Sequence, residues 1–290
     1  MYNIKHKSKG LVAHGVSACA GCGLELIIRN VMDVLGQDTI IVIPPGCSAL
    51  FSGFGKETAL KIAGLQGNLE NTAACAAGIR AGLTAQGNTH TNVLAFAGDG
   101  GTVDIGLQAL SGAIERRDRI IYVCYDNEAY MNTGIQGSSS TPLWANTTTT
   151  PGGKPVTRKN LIGIAMAHDI PYAASASLQN ISDLKKKVNK AMKTNGPALL
   201  HIHCPCPTGW FYEPKYTIRL AKLAVTTGNW ILYEYEDGKV TINYNPRQLE
   251  PIDEYIKLQG RFKHVKPEQL EEIRTEVKKT YEKFVGKNNS

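Results

Sequence analysis

Val93-Leu94-Ala95-Phe96-Ala97-Gly98-Asp99-Gly100-Gly101 passes without a break from an apolar run into a glycine-rich turn built around one carboxylate. A short run of this kind, apolar at every position, reads as a strand buried on both faces, the kind found inside parallel sheets. The helical pattern Asp104–Arg116 follows, then a second apolar run, Ile120–Cys124, then Asp126-Asn127. Twenty-six residues separate Gly100 from Asn127. Glycines allow the backbone to approach a phosphate closely, and a helix that starts there offers its unpaired N–H groups to the anion. Asp99 supplies a hard carboxylate oxygen for Mg²⁺, and the next parallel strand returns Asn127 to the same sheet edge, where its amide oxygen can be a second ligand. Taken apart, the two halves are a tight turn with a capping Asp and an Asn at a strand end. Their coupling across one βαβ unit is what points to a diphosphate held through magnesium.

The rhythm extends in both directions. Thr39–Ile43 and Ala198–His203 are further strand candidates, and Leu24–Leu35, Asn71–Ala85, Lys159–His168 and Ile181–Thr194 are helix candidates. Alternating strands and helices predict an α/β fold, a parallel sheet with helices on both faces. Pro44-Pro45-Gly46-Cys47-Ser48 follows a strand end, the usual place for a site in such a sheet, and puts Gly46, Cys47 and Ser48 among the cofactor-binding candidates. Residues Gly134 to Arg158 are rich in Ser, Thr, Gly and Pro, and a polar stretch of that length between a motif and a helix predicts a functional loop. After Pro207 the texture turns to Tyr, Trp and charge. A helix over Thr217–Thr227, a hairpin within Trp230–Tyr244 around Asp237-Gly238 and a closing helix over Pro267–Val285 are expected. The predicted division is a cofactor-binding domain over 1–210 and a C-terminal extension over 211–290 that packs on subunits.

The 290 residues are 42% apolar and 20% charged, ordinary globular usage, with a formal net charge of +7. The densest basic run, Lys185-Lys186-Lys187 with Lys190 and Lys193, lies on a helical pattern and predicts a solvated face. No nucleic-acid module and no apolar run long enough for a membrane span is seen. Lys5, His6, Lys7 and Lys9 lack an apolar segment after them, so no export signal is read and a cytoplasmic location is expected.

Seven cysteines in such a chain argue for thiols or a metal site rather than a disulfide framework. Cys19-Ala20-Gly21-Cys22 has the spacing that lets two thiolates share one metal centre. Spacing does not separate structural zinc from a [4Fe–4S] cluster, because both take thiolate ligands. Cys75, in a run of small residues, and Cys124, at the end of a buried strand, read as packing residues.

The coupled motif looks like that of thiamine-diphosphate enzymes, and its neighbours narrow the resemblance. Gly101-Thr102-Val103-Asp104-Ile105-Gly106, Tyr125 through Gln136, Thr147-Thr148-Thr149-Thr150-Pro151, Cys206-Pro207-Thr208-Gly209-Trp210 and Leu258 through His264 are similar to the β subunits of pyruvate:ferredoxin oxidoreductases (pyruvate synthases), within the 2-oxoacid:ferredoxin oxidoreductase family. The resemblance implies a thiamine-diphosphate-binding fold. Asp99, Asn127 and the carbonyl of Ala129 would hold Mg²⁺, Gly98, Gly100 and Gly101 would cradle the diphosphate, and Asn132 would face the reacting centre. It implies a [4Fe–4S] cluster on Cys19, Cys22, Cys47 and one of Cys204 and Cys206, with Cys206 preferred.

The implied reaction is oxidative decarboxylation of pyruvate, reversible, with coenzyme A taking the acyl group and ferredoxin the electrons. Other 2-oxoacids stay open, oxalate among them, because Asn146 stands where an aromatic residue is expected before the Thr run. A non-redox thiamine-dependent decarboxylase or synthase with structural zinc is the alternative chemistry. The implied partners are α, γ and δ subunits, the α subunit sharing the active site and supplying the catalytic glutamate. Glu25, Glu57 and Glu70 are accordingly not assigned that role.

Overall fold

The computed structural model describes residues 10–13, 16–52 and 58–288. The basic N-terminal residues Lys5, His6, Lys7 and Lys9, and Glu57, lie outside the described residues. Eight described strands form one sheet: β1 (Thr39–Ile43), β2 (Ala63–Gln66), β3 (Asn92–Gly98), β4 (Ile121–Asp126), β5 (Tyr172–Ser177), β6 (Ala198–His203), β7 (Tyr233–Glu236) and β8 (Lys239–Ile242). Their order is β2-β1-β3-β4-β6-β5-β7-β8. The first six run parallel, and β7 and β8 add antiparallel at the β5 edge. The helices are α1 (Gly23–Leu35), α2 (Thr72–Ala85), α3 (Leu107–Glu115), α4 (Leu161–Met166), α5 (Ile181–Lys193), α6 (Pro207–Trp210), α7 (Thr217–Thr226), α8 (Asp253–Ile256) and α9 (Pro267–Asn288).

Alternation along the central strands builds two cores. Ile41, Leu94, Phe96, Val123, Leu200 and Ile202 pack with α1 and α5 on one face. Val42, Val93, Ala95, Tyr122, Cys124 and Leu199 pack with α2, α3 and α4 on the other. With β4 and β6 buried at every position, neither face is left to solvent, which is why they open as apolar runs, over residues 121–124 and 198–200, rather than as alternating ones. A third core, around Trp210, Leu220, Trp230, Tyr255 and Phe262, is built mainly from the chain after residue 206, with Ala145 added from the Ser/Thr-rich segment. The hairpin turns at Asp237-Gly238, both with positive φ (47° and 85°), the conformation a two-residue turn between twisted strands needs.

Three expectations are corrected. The helix expected from Asp104 begins at Leu107, because Gly100–Asp104 is wound as a wider π turn. Gly106 makes that turn possible, since a Cβ there would sit 2.1 Å from the Gly101 carbonyl oxygen. The lysine run is not wholly solvated: Lys187 is fully buried, its Nζ donating to the Ser175 carbonyl at 2.8 Å and to Asp183 at 2.7 Å. Two strands, β2 and β5, lie where no strand was expected. No described helix is long and apolar enough to cross a membrane.

Candidate active site and thiol cluster

From β1 the chain crosses to β2 on one side, and β3 then returns to the other side of β1. The β1/β3 boundary is therefore the point where the winding reverses, and loops leaving it diverge to leave a crevice. A cleft of about 410 Å³, open to solvent, lies there. Its walls are Pro44–Cys47 after β1, Gly98–Gly101 after β3, and Tyr125, Asn127 and Ala129–Thr133 at the end of β4 and beyond, with Leu69. Gly46, Cys47, Gly98, Asp99, Gly100, Gly101, Asn127, Ala129 and Asn132 all line it, so the structure brings together what the sequence scatters over 87 positions, 46 to 132. Ser48 does not line it. Its N–H donates to the Tyr125 hydroxyl at 3.1 Å and its side chain is fully buried, which makes it a brace of the loop rather than a contact.

Asp99 is 1% exposed, and burial together with the nearby Asp126 carboxylate pushes its carboxyl well above the ordinary range, against the pull of the Ser138 hydroxyl that donates to it. Asn127, Ala129 and Asp99 converge on one point. With the amide oxygen of Asn127 turned inward, it lies 2.8 Å from the Ala129 carbonyl oxygen and 3.0 Å from Asp99 Oδ1; with the amide reversed, its nitrogen donates to both. In the first orientation three oxygens face one another and repel unless a proton or a cation stands among them; in the second the amide nitrogen bridges the other two. An octahedral Mg²⁺ with oxygens at ~2.1 Å sets neighbouring ligands ~3.0 Å apart, so the observed spacings are those of octahedron edges. The residues present therefore fit a small hard cation. Beside them, a Cβ at Gly100 would fall 2.4 Å from the Tyr130 ring, so only glycine leaves the backbone room for a diphosphate with Tyr130 in place.

The Ser/Thr-rich segment packs over this motif. Ser138 bonds Asp99, the Ser139 N–H donates to Asp104 Oδ2 at 3.0 Å, and Thr141 Oγ1 donates to the Glu128 carbonyl at 2.6 Å. Lys154, 8% exposed, gathers the segment from inside, its Nζ donating to the carbonyls of Thr141 at 2.7 Å and Ser139 at 3.3 Å. Replacing it leaves the buried Thr141 carbonyl without its donor, while the Ser139 carbonyl keeps the Lys159 N–H at 2.9 Å. Lys154→Met is expected to lower stability by about 2–3 kcal/mol, read as a reduced denaturant midpoint with an unchanged slope. Asn146 does not line the cleft: its amide donates to the Pro151 carbonyl at 2.6 Å, so it gives no reason to expect a more polar substrate. Asn132 stands exposed on the rim, at the tip of a turn closed by the Tyr130 N–H bond to the Gln136 carbonyl (2.8 Å). No glutamate is among the cleft residues described.

The cysteines meet next to this cleft. The Cys19–Cys22 turn is closed by the Cys22 N–H bond to the Cys19 carbonyl at 3.0 Å, and Gly23 abuts the Pro205 carbonyl so closely that a Cβ would sit 2.9 Å from it. That contact sets Cys22 against the Cys204–Cys206 loop. Cys47 carries its thiol at the cleft wall, where burial, then Cys206, Cys22 and Cys19 push it up to about 12. Burial, and after it Cys22 and Cys19, push the Cys206 thiol up to about 11 against the N–H of Gly209, which donates to the sulfur at 3.3 Å. Cys19, Cys22, Cys47 and Cys206 thus occupy one neighbourhood, in which burial and crowding disfavour ionisation of Cys22, Cys47 and Cys206 without a metal. Among the described residues, no three His, Cys, Asp or Glu side chains close on a single-ion geometry. Cys204, 1% exposed, is packed into the α1/α5 core. The sequence reading missed Tyr125, Tyr130 and Met131, although all three lie inside the quoted stretch Tyr125 through Gln136.

Residues 45–202 match the family model described as thiamine pyrophosphate enzyme, C-terminal TPP binding domain. The chain is 48% identical over 279 residues to pyruvate synthase subunit PorB of Methanothermobacter thermautotrophicus, covering 94% of this chain and 97% of that protein. It is 46% identical over 282 residues to ketoisovalerate oxidoreductase subunit VorB of Pyrococcus abyssi, covering 93% and 91%. Among solved structures, 2-oxoglutarate:ferredoxin oxidoreductase from Magnetococcus marinus superposes with a TM-score of 0.61 at 22% identity, over 71% of this chain and 70% of that one, a likeness of fold.

Proposed function

Because the chain belongs to the thiamine pyrophosphate enzymes and, within them, to the family of pyruvate synthase and ketoisovalerate oxidoreductase B subunits, we propose that it is the coenzyme-binding subunit of a 2-oxoacid:ferredoxin oxidoreductase acting on pyruvate. The observation that carries the site assignment is the convergence of the Asp99 carboxylate, the Asn127 amide and the Ala129 carbonyl beside a glycine-lined cleft. When bound, thiamine diphosphate supplies an electron sink for the carbon left as a 2-oxoacid loses CO2, and a [4Fe–4S] cluster accepts electrons singly.

In this reading Asp99, Asn127 and the Ala129 carbonyl hold Mg²⁺, and Gly98, Gly100 and Gly101 receive the diphosphate. Asn132, on the open rim, offers its amide to a reacting oxygen. Cys19, Cys22, Cys47 and Cys206 hold the cluster. A [4Fe–4S] cluster and a tetrahedral zinc ion both take four thiolates, so the iron content of the protein, and not the thiol set alone, separates them. Cys47 serves both sites, since its loop forms a wall of the coenzyme cleft and its thiol is within electrostatic reach of the other three.

The exposed rim and the lack of a glutamate in the described cleft suit a site completed by another subunit, an α partner that brings the acid for the coenzyme. The γ and δ subunits and ferredoxin would carry electrons away. The division at residue 210, with 211–290 packing on subunits, belongs to the same proposal.

The nearly equal identities to a pyruvate and to a ketoisovalerate subunit make a branched 2-oxoacid the second reading. The assembled complex, assayed for coenzyme-A-dependent ferredoxin reduction with pyruvate, 2-oxoisovalerate, 2-oxoglutarate and oxalate, decides between them. Pyruvate is expected to have the highest kcat/KM, by about tenfold or more over the branched acid, the discrimination a pocket makes on side-chain size. A preference for 2-oxoisovalerate would transfer the assignment to the second reading.

A further inference from the structure

Glu128 lies between the two loop residues assigned to the metal, and it is a non-glycine residue at φ 67°. That left-handed conformation turns its side chain away from the cleft and into the protein, where it is fully buried. Such a backbone persists only where its surroundings over-determine it. Here the Asp126 carboxylate accepts the Glu128 N–H at 2.9 Å and the Thr141 hydroxyl donates to its carbonyl at 2.6 Å. The Glu128 carboxylate is taken up by Arg261 Nη2, with Arg158 Nη2 3.1 Å from its second oxygen.

Arg261 comes from far along the chain and is itself 2% exposed. Its guanidinium lies 4.0 Å over the Trp210 ring, and its Nε donates to Gln259 Oε1 at 2.9 Å. Trp210 in turn donates from its indole N–H to the Asn127 carbonyl at 2.8 Å. One arginine therefore grips residue 128 by charge and residue 127 through the indole stacked under it. The Asn127 amide that meets Asp99 Oδ1, and the Ala129 carbonyl it also meets, belong to the same turn. We propose that Arg261 is a positioning residue for the cation: acting through Glu128 and Trp210, it holds the Asn127–Ala129 turn at the spacing a small octahedral ion requires. This rests on the magnesium assignment above.

The geometry dictates the test. Mg²⁺ demands a near-ideal octahedron at short distances, whereas Ca²⁺ accepts a looser and larger one. A slackened turn should therefore lose Mg²⁺ affinity more than Ca²⁺ affinity, which a general loss of stability would not do. The assembled complex, stripped of metal and coenzyme, is titrated with each ion while thiamine diphosphate retention is followed. R261Q is expected to raise the half-saturating Mg²⁺ concentration by about tenfold or more, the usual effect of removing a group that orients ligands, with a smaller change for Ca²⁺. E128Q/R261Q should be no worse than R261Q, because the two residues form one clamp.

Unchanged Mg²⁺ titration in R261Q would overturn the proposal, as would equal weakening of both ions with a lowered unfolding midpoint. If R261Q does not assemble, E128Q/R261Q, which leaves no carboxylate unpaired by the change, carries the same expectation and the same overturning result. D99N separates the two assignments: retained Mg²⁺ dependence in D99N defeats the magnesium site itself. Loss in D99N with none in the Arg261 variants defeats only the clamp.

Discussion

Asp99→Asn should abolish Mg²⁺-dependent retention of thiamine diphosphate and cut turnover of the assembled complex on the order of a thousandfold, the several kcal/mol that a metal contributes to holding and polarising a phosphorylated group. The substitution keeps the shape of the side chain and a partner for the Ser138 hydroxyl, so it removes charge and little else. Its effect on folding should run the other way. Burial and the neighbouring Asp126 hold the Asp99 carboxyl well above its ordinary range, so above that ordinary range the metal-free chain bears the cost of ionising a buried group or of binding a proton to keep it neutral. The neutral amide of the variant does not bear that cost, and the metal-free variant should unfold at the same midpoint as the parent or a higher one.

The pH dependence carries the same sign. A carboxyl raised on folding binds more protons in the folded chain than in the unfolded one. Stability of the metal-free parent should therefore fall as pH climbs from the ordinary carboxylate range through the raised one, and the variant should lose that slope. Calorimetric titration of coenzyme with and without Mg²⁺, and unfolding midpoints of both proteins across that range, check the two halves. Coenzyme binding by the variant that still depends on Mg²⁺ would remove Asp99 from the metal site.

The sequence disclosed the strands that have no exposed face and hid those that do, or that are built of small residues. β1 and β6 are expected at their observed bounds, because central parallel strands are covered on both faces and leave an apolar run, over residues 40–43 in one and 198–200 in the other. β2, Ala63-Gly64-Leu65-Gln66, is exposed along its whole length at the sheet edge and carries no apolar run to read. β5, Tyr172 to Ser177, is buried at every position, yet by alanines and serines, whose fit depends on Trp230 and α5 from elsewhere in the chain. The metal-facing oxygens were legible for Asp99 and Asn127 because the chemistry resides in their side chains. Ala129 entered only through resemblance, since a backbone carbonyl ligand leaves no mark on residue type. Glu128 and Arg261 lie 133 positions apart, and nothing local to either indicates the other.

Cys206→Ala should reduce bound iron from about four per chain to near none, abolish visible charge-transfer absorbance and stop ferredoxin reduction, whereas Cys204→Ala should leave all three intact. The two cysteines are two residues apart, so the contrast tests geometry rather than region. Cys206 stands at the N-terminus of α6, with the Gly209 N–H directed at its sulfur, which offsets part of the burial that raises its thiol. Cys22 has the equivalent place at the head of α1, and the N–H groups of Leu24 and Glu25 favour its ionised form against burial. Cys204 is instead enclosed by the apolar core of α1 and α5, where an uncharged thiol is the stable species.

Cys47→Ala should do something different from either. Its loop walls the coenzyme cleft, so the variant should lose iron and also weaken thiamine diphosphate binding, while Cys206→Ala should leave coenzyme binding within about twofold, since Cys206 is not among the residues lining the cleft. Retention of iron by Cys206→Ala together with its loss from Cys204→Ala would move the fourth ligand to Cys204. Stoichiometric zinc in place of iron in the anaerobically purified parent would end the redox reading, because zinc has no oxidation state to offer an electron. Iron retained by all four single variants at Cys19, Cys22, Cys47 and Cys206 would mean that the thiols crowd together for packing alone, a costly arrangement for four polarizable groups of which Cys19 is already exposed to solvent.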